Sequence, residues 1–126
     1  MDKILVIDDE ERILKHFKTL LMMMNYEPLT ANNSADGCRL AQDPDVKMII
    51  TDLAMPGELN QIGLVRELRR LRPNLPLVVI SGFPTPEVLN ECENLGVRDF
   101  LTKPFELSFI NSVIKRLLGS PSGETK

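Results

Sequence analysis

Thiol and imidazole groups are scarce in this chain: it has two cysteines, Cys38 and Cys92, and one histidine, His16. None of the three has the close spacing of a zinc site, and two isolated thiols make no disulfide framework. Both cysteines are read as small buried apolar groups of a protein held in a reducing compartment. No stretch approaches the ~18 to 20 consecutive apolar residues of a membrane span, and the N-terminus has an acidic start where a secretory leader carries basic charge. A soluble, cytoplasmic protein is expected. Excess positive charge is missing too. A formal net charge of -3 leaves no general attraction to nucleic acid or anionic lipid, both of which need clustered cations. What is present is 43% apolar and 26% charged residues over 126 positions, the balance of one globular domain with one core.

Short apolar runs alternate with amphipathic segments, the pattern of a parallel sheet with crossover helices. The class is α/β. Strands are expected at Lys3 to Ile7, Glu27 to Ala31, Val46 to Thr51, Leu75 to Ile80 and Val97 to Leu101. Residues 46 to 51 and 75 to 80 are apolar without alternation, as in strands covered on both faces, so they are placed centrally. Helical stripes of period 3.6 run through Ile13, Phe17, Leu20, Leu21 and Met24, and again through Ile110, Val113, Ile114, Leu117 and Leu118. Asn33 or Ser34 can cap the second helix, and Thr85 before Pro86 suits the cap and first position of the fourth. Arg72-Pro73 and Leu95-Gly96 end the third and fourth helices. The domain is set at residues 1–118, and 119–126 reads as a flexible tail, linker or cut end.

Polar residues fall at particular places on that scaffold. Asp8 and Asp9 follow the first strand, Asp52 the third, Ser81 the fourth and Lys103 the fifth. In a doubly wound parallel sheet the carboxyl ends of the strands border the ligand crevice, so these groups are expected to converge. Carboxylates about 5 Å apart repel by roughly 3 kcal/mol per pair at an effective dielectric near 20. A cation must join them. Oxygen donors without thiolate or imidazole select a hard ion, most plausibly Mg²⁺. Lys103 adds a fixed positive charge, and the Ser81 hydroxyl is a donor to a phosphoryl oxygen. Asp52, alone at a central strand end, is the candidate nucleophile for phosphorus, whereas the adjacent Asp8 and Asp9 are read as metal ligands.

These residues resemble the receiver domain of two-component response regulators over about residues 2 to 118. The motifs are Asp8-Asp9, the run Asp52-Leu53-Ala54-Met55-Pro56-Gly57, Ser81-Gly82 and Lys103-Pro104. The resemblance implies a flavodoxin-like fold, five parallel strands in order 2-1-3-4-5 with five helices. It implies transfer of a phosphoryl group to Asp52 from a sensor histidine kinase or histidine phosphotransfer protein. Mg²⁺ is then held by Asp9, Asp52 and the Ala54 backbone carbonyl, with Asp8 acting through a water, and the bond before Pro104 is cis. Ser81 and Phe100 become the switch pair, and the face made by the fourth helix, fifth strand and fifth helix controls an effector domain or target, often by pairing two chains. Such a domain catalyses its own phosphorylation and slow hydrolysis without being a conventional turnover enzyme.

Three features depart from the family pattern. Phe100 stands where tyrosine is frequent, so an inward state rests on packing without a phenol hydrogen bond. The stretch Gly57 to Gly63 is longer than the usual turn before the third helix. Ala54 and Phe83 cannot orient an attacking water by hydrogen bonding, from which slow self-dephosphorylation is expected. Other classes fit less well. A flavin carrier needs a Ser/Thr/Gly-rich phosphate loop after the first strand, where this chain has Asp8-Asp9-Glu10-Glu11, and phosphatases of the haloacid dehalogenase class carry Asp-x-Asp there. A degenerate receiver that only binds protein is the alternative, opposed by the intact set Asp8, Asp9, Asp52, Ser81 and Lys103. His16 is assigned to the surface or boundary of the first helix, and Met22-Met23-Met24 to core filling at least at Met24. Arg66, Arg69, Arg70 and Arg72 are read as a solvated helix face with Glu67; without aromatics or a recognition motif they suggest no nucleic-acid contact.

Overall fold

Alternate residues of a strand point to opposite faces of its sheet, so a strand apolar at every position needs cover on both sides. The computed structural model, which describes residues 2–54, 61–82 and 84–119, meets that need with one sheet between two helical layers. The elements in chain order are β1 (Lys3–Ile7), α1 (Glu11–Met23), β2 (Glu27–Ala31), α2 (Ser34–Ala41), β3 (Val46–Asp52), α3 (Gln61–Leu71), β4 (Leu77–Ser81), α4 (Pro86–Asn94), β5 (Asp99–Thr102) and α5 (Leu107–Leu118). All pairings are parallel and the order is β2-β1-β3-β4-β5. The expected α/β architecture is therefore the observed one, with β3 at the centre and β4 beside it. Among the described residues no helix is long and apolar enough to cross a membrane.

The core divides at the sheet. Ile4, Val6, Met48, Ile50, Val78 and Ile80 face α1 and α5, where Leu14, Phe17, Leu21, Ile110, Val113 and Ile114 complete one cluster. Leu5, Ile7, Ile49, Leu77 and Val79 face the other way, against Leu64, Val65 and Leu68 of α3, Ala41 of α2 and Cys92 of α4. In α1 the fully covered stripe is Leu14, Phe17 and Leu21, while Ile13 and Leu20 are only half-buried. Met24 is buried, but Met22 and Met23 are exposed. Cys92 is buried as expected; Cys38 is only partly so, packed at the edge of its cluster.

Helix ends follow the sequence signals. The Asn33 side chain accepts from the Asp36 amide at 2.8 Å, and the Thr85 hydroxyl accepts from the Val88 amide at 3.2 Å with Pro86 in the first turn. At the C-terminus of α4, Gly96 has φ of +77°, a conformation that costs a side chain but not glycine. There the Gly96 amide donates to Glu93 and the Val97 amide to Cys92, each at 3.0 Å, the paired bonds of a Schellman closure. That closure takes up Val97, which is why β5 begins at Asp99 and not at Val97. β4 likewise begins at Leu77 and not at Leu75: Leu75 donates back to Arg72 at 3.3 Å, and Pro76 has no amide hydrogen for the ladder. α3 already runs from Gln61, so Gln61 to Gly63 are helix and not loop; residues 57–60 of the expected long turn lie outside the described residues.

The α3 arginines correct the expectation of a solvated face. Arg69 is half-buried and donates to the carbonyls of Leu95 (2.8 Å), Gly96 (3.0 Å), Pro73 (3.0 Å), Leu75 (2.8 Å) and Arg72 (3.3 Å). Arg72 donates to Ala41, Asp43 and Val46. These guanidiniums satisfy backbone acceptors left over where α2, α3 and α4 end and where β3 and β4 begin. Arg66 and Arg70 do face solvent, pairing with Glu91 and Glu67.

Candidate functional site

The chain runs outward from β1 to β2, then crosses back to β3 and continues to β5, so strand order reverses between β1 and β3. A crevice opens at their carboxyl ends. Each ladder extends one residue past its strand, and that extra bond fixes where the next side chain stands. Asp8 donates its amide to the Ala31 carbonyl at 3.0 Å, Leu53 to Ile80 at 3.2 Å, and Lys103 to Ser81 at 2.9 Å. Asp8 and Asp52 are thereby buried at the crevice floor, Ser81 stands at the end of β4, and Lys103 is carried over them from β5. The Lys103–Pro104 peptide bond is cis.

Lys103 is the hub. Its Nζ donates to Asp52 Oδ2 at 2.7 Å and to Glu10 Oε1 at 3.2 Å, and lies 3.3 Å from Asp8 Oδ2. The other Asp52 oxygen accepts from the Ala54 amide at 3.1 Å. Asp8 Oδ1 accepts from the Glu10 amide at 2.9 Å. Asp8 Oδ2, though near the ammonium, is buried and accepts no aligned hydrogen bond among the described residues. Burial pushes the Asp8 carboxyl above its ordinary pKa, the Asp52 charge adds to that, and the Glu10 amide and Lys103 only partly offset it. Burial alone lowers Lys103, but the bond to Asp52 and the charges of Asp8 and Asp52 hold it well above the usual lysine value. The ammonium stays charged.

Among the described residues, one cation among four carboxylates, those of Asp8, Asp9, Glu10 and Asp52, leaves the crevice with an excess of negative charge. Oxygens of Asp8, Asp9 and Asp52 lie within 4.8 Å of one another. An all-oxygen donor set with one unsatisfied buried oxygen, and with exposed Asp9 at the mouth, fits a hard divalent ion such as Mg²⁺. Such an ion supplies charge neutralisation for these carboxylates and for phosphate oxygens.

Of the residues singled out from sequence, Asp8, Asp52 and Lys103 meet directly, Asp9 stands within 4.8 Å of the two aspartates, and Ser81 closes the neighbouring strand end. Ala54 is exposed, and its backbone faces Asp52. Phe100 lies apart on β5, half-buried against the second core cluster. Phe83 and Met55, Pro56 and Gly57 lie outside the described residues. Glu10 was passed over in the sequence; only its place directly after Asp8-Asp9 could have marked it. His16 is exposed on α1 and lines, with Arg12, Phe17, Phe105 and Lys103, a cleft of ≈ 500 Å³ beside the site.

A carboxylate cluster, a lysine paired with it and a serine stand together at the strand-order reversal of a doubly wound sheet. The chain belongs to the response regulator receiver domain family, which matches residues 4–115. It is 32% identical over 117 residues to the DNA-binding transcriptional regulator NtrC of Azospirillum brasilense, covering 93% of this chain. It spans about a quarter of the length of that relative and of the regulatory protein AtoC of Escherichia coli. In structure it is similar to the chemotaxis protein CheY4 of Vibrio cholerae, with a TM-score of 0.83, 26% identity and coverage of 94% of this chain and 99% of that one. It shares its fold with the receiver domain of a Pseudomonas aeruginosa sensor histidine kinase, solved with a magnesium ion in its active-site cleft (TM-score 0.80, 21% identity, 94% and 98% covered).

Proposed function

We propose that this chain is a phosphoacceptor switch in which Asp52 takes a phosphoryl group from the phosphohistidine of a sensor histidine kinase or histidine phosphotransfer protein. The observation that carries this reading is the buried Asp52 carboxylate, 2.7 Å from Lys103 Nζ and clustered with Asp8 and Asp9. An Asp52 oxygen forms the new O–P bond while the P–N bond to imidazole breaks, its electron pair remaining on nitrogen. Lys103 leaves Asp52 for a phosphoryl oxygen, and the Ser81 hydroxyl donates to another. Asp9, Asp52 and the Ala54 carbonyl would hold Mg²⁺, with Asp8 acting through water; when bound, the ion would supply positive charge to offset that of the carboxylates and of an incoming dianion. Ala54 offers no group to orient water, so hydrolysis of the aspartyl phosphate is slow. A phosphoprotein half-life of only seconds, without a phosphatase, contradicts that point.

Output passes from Ser81 and Phe100 to the face of α4, β5 and α5, which controls an effector domain or target and can pair two phosphorylated chains. This fits a cytoplasmic module of a larger regulator. The test is incubation with Mg²⁺ and acetyl phosphate followed by intact mass. An addition of one phosphoryl group that disappears in Asp52→Asn is expected. Labelling that persists in the variant moves the site elsewhere, and no labelling of the wild type leaves only a protein-binding role.

A further inference from the structure

Glu10 stands in the position that usually caps a helix, yet its side chain makes no capping bond to α1. Its main chain is committed on both sides: the amide donates to Asp8 Oδ1 at 2.9 Å, and the carbonyl accepts from Leu14 at 3.1 Å. Its carboxylate reaches across 93 positions of sequence to Lys103 at 3.2 Å. Lys103 thus faces three carboxylates. Two of them, Asp8 and Asp52, belong to the donor cluster that a divalent ion neutralises. Glu10 is outside that cluster, 48% exposed at its side chain, and lines the adjoining cleft together with Lys103. Its charge therefore remains at the mouth of the site, still competing for Lys103, after the ion has bound.

We propose that Glu10 is a specificity-determining residue for the phosphodonor: it disfavours anionic acyl phosphates and favours donors whose leaving group is a nitrogen base carrying positive charge beside phosphorus. The inference rests on Asp52 being the acceptor. With either donor an Asp52 oxygen forms the O–P bond. From acetyl phosphate the P–O bond breaks and its electron pair leaves on acetate. From phosphoramidate the P–N bond breaks, the pair leaves on ammonia, and ammonia then takes a proton from water. An ammonium-like nitrogen can lie against Glu10 as the phosphoryl group draws Lys103 away; an acyl oxygen is repelled there.

The test compares apparent second-order rate constants for labelling of Asp52 by acetyl phosphate and by phosphoramidate, at saturating Mg²⁺ and fixed ionic strength, in wild type, Glu10→Gln and Glu10→Lys. A screened unit charge of about 1 kcal/mol corresponds to roughly a fivefold rate. Glu10→Gln is expected to raise the acetyl phosphate rate roughly fivefold and to leave the phosphoramidate rate unchanged or lower. Glu10→Lys is expected to widen that gap, and the gap shrinks as salt is raised. An exposed ion pair contributes little to stability, so both variants are expected to melt close to wild type. Equal changes with the two donors, or none, overturn the inference while leaving Asp52 as acceptor. Failure of both donors to label wild type removes the acceptor reading itself, and the donor preference with it.

Discussion

Asp8 is 1% exposed, its Oδ2, 3.3 Å from Lys103 Nζ, accepts no aligned hydrogen bond among the described residues, and burial with the nearby Asp52 charge raises its pKa. Its ionised form is therefore held at a cost in the metal-free protein. A carboxyl whose folded pKa lies above its unfolded value binds its proton more tightly when folded. Stability lost at neutral pH is then regained as pH falls from the raised value toward the ordinary carboxylate range. Asp8→Asn removes this burden. In EDTA at pH 7 the variant is expected to be more stable by on the order of 1 kcal/mol, a few degrees in melting temperature. The advantage shrinks on acidification through that window, and Mg²⁺ reverses it because only wild type keeps the full donor set. Melting curves with and without Mg²⁺ across pH 4 to 8 decide this; a variant less stable than wild type in EDTA refutes it. At this scale the acids and the lysine were legible because residue type and strand-end position together imply convergence. Glu10 was not, since its partner is fixed only by how α1 and β5 meet in space.

Elements were legible where the signal is local. The caps Asn33 and Thr85 and the glycine stop at Gly96 need only near neighbours, and they lie where the sequence put them. The starts of β4 and β5 were each missed by two residues, because a ladder bond depends on the neighbouring strand and on which amides a preceding turn has already used. The arginines of α3 and its end were misread for a related reason: composition shows three guanidiniums on one helix and a fourth just past it, but not which of them face carbonyls of other segments. That difference is measurable. Arg69→Ala removes the guanidinium from five carbonyls, of which that of Arg72 keeps the Leu75 amide and some are reached by water, and is expected to cost about 2 to 4 kcal/mol in urea denaturation. Arg69→Lys recovers only a minor part, since one ammonium cannot span acceptors at opposite edges of a guanidinium. Arg66→Ala, which breaks an exposed pair with Glu91, is expected to cost about 1 kcal/mol or less. Equal losses at positions 66 and 69 contradict the division of this helix into a structural side and a solvated one.

Across the whole molecule, the crevice sits at one end of a sheet whose two faces are both packed, so a change at Asp52 cannot be absorbed by the sheet itself. Close packing leaves β3 and β4 little room to shift. Movement must emerge at the segments beyond the strand ends, and α4 is the asymmetric one. Its C-terminal end is held by the Schellman closure at Gly96 and Val97, by Arg69 on Leu95 and Gly96, and by Glu91 on Arg66. Its N-terminal end begins five residues after Ser81 and, among the described side chains, is held by the Thr85 cap at 3.2 Å. A phosphoryl analogue at Asp52 should therefore displace the start of this helix while its end stays in place. With Mg²⁺ and beryllofluoride, hydrogen exchange is expected to change several-fold for the amides of Thr85 and of Glu87 to Leu89 and by less than about twofold for Cys92 to Val97, in keeping with local openings that track local hydrogen bonding. In Arg69→Ala the second segment joins the first, because its anchor is gone. A uniform response along α4 in wild type shows instead that the helix moves as one body and that Arg69 is a stabilising contact without a part in the switch.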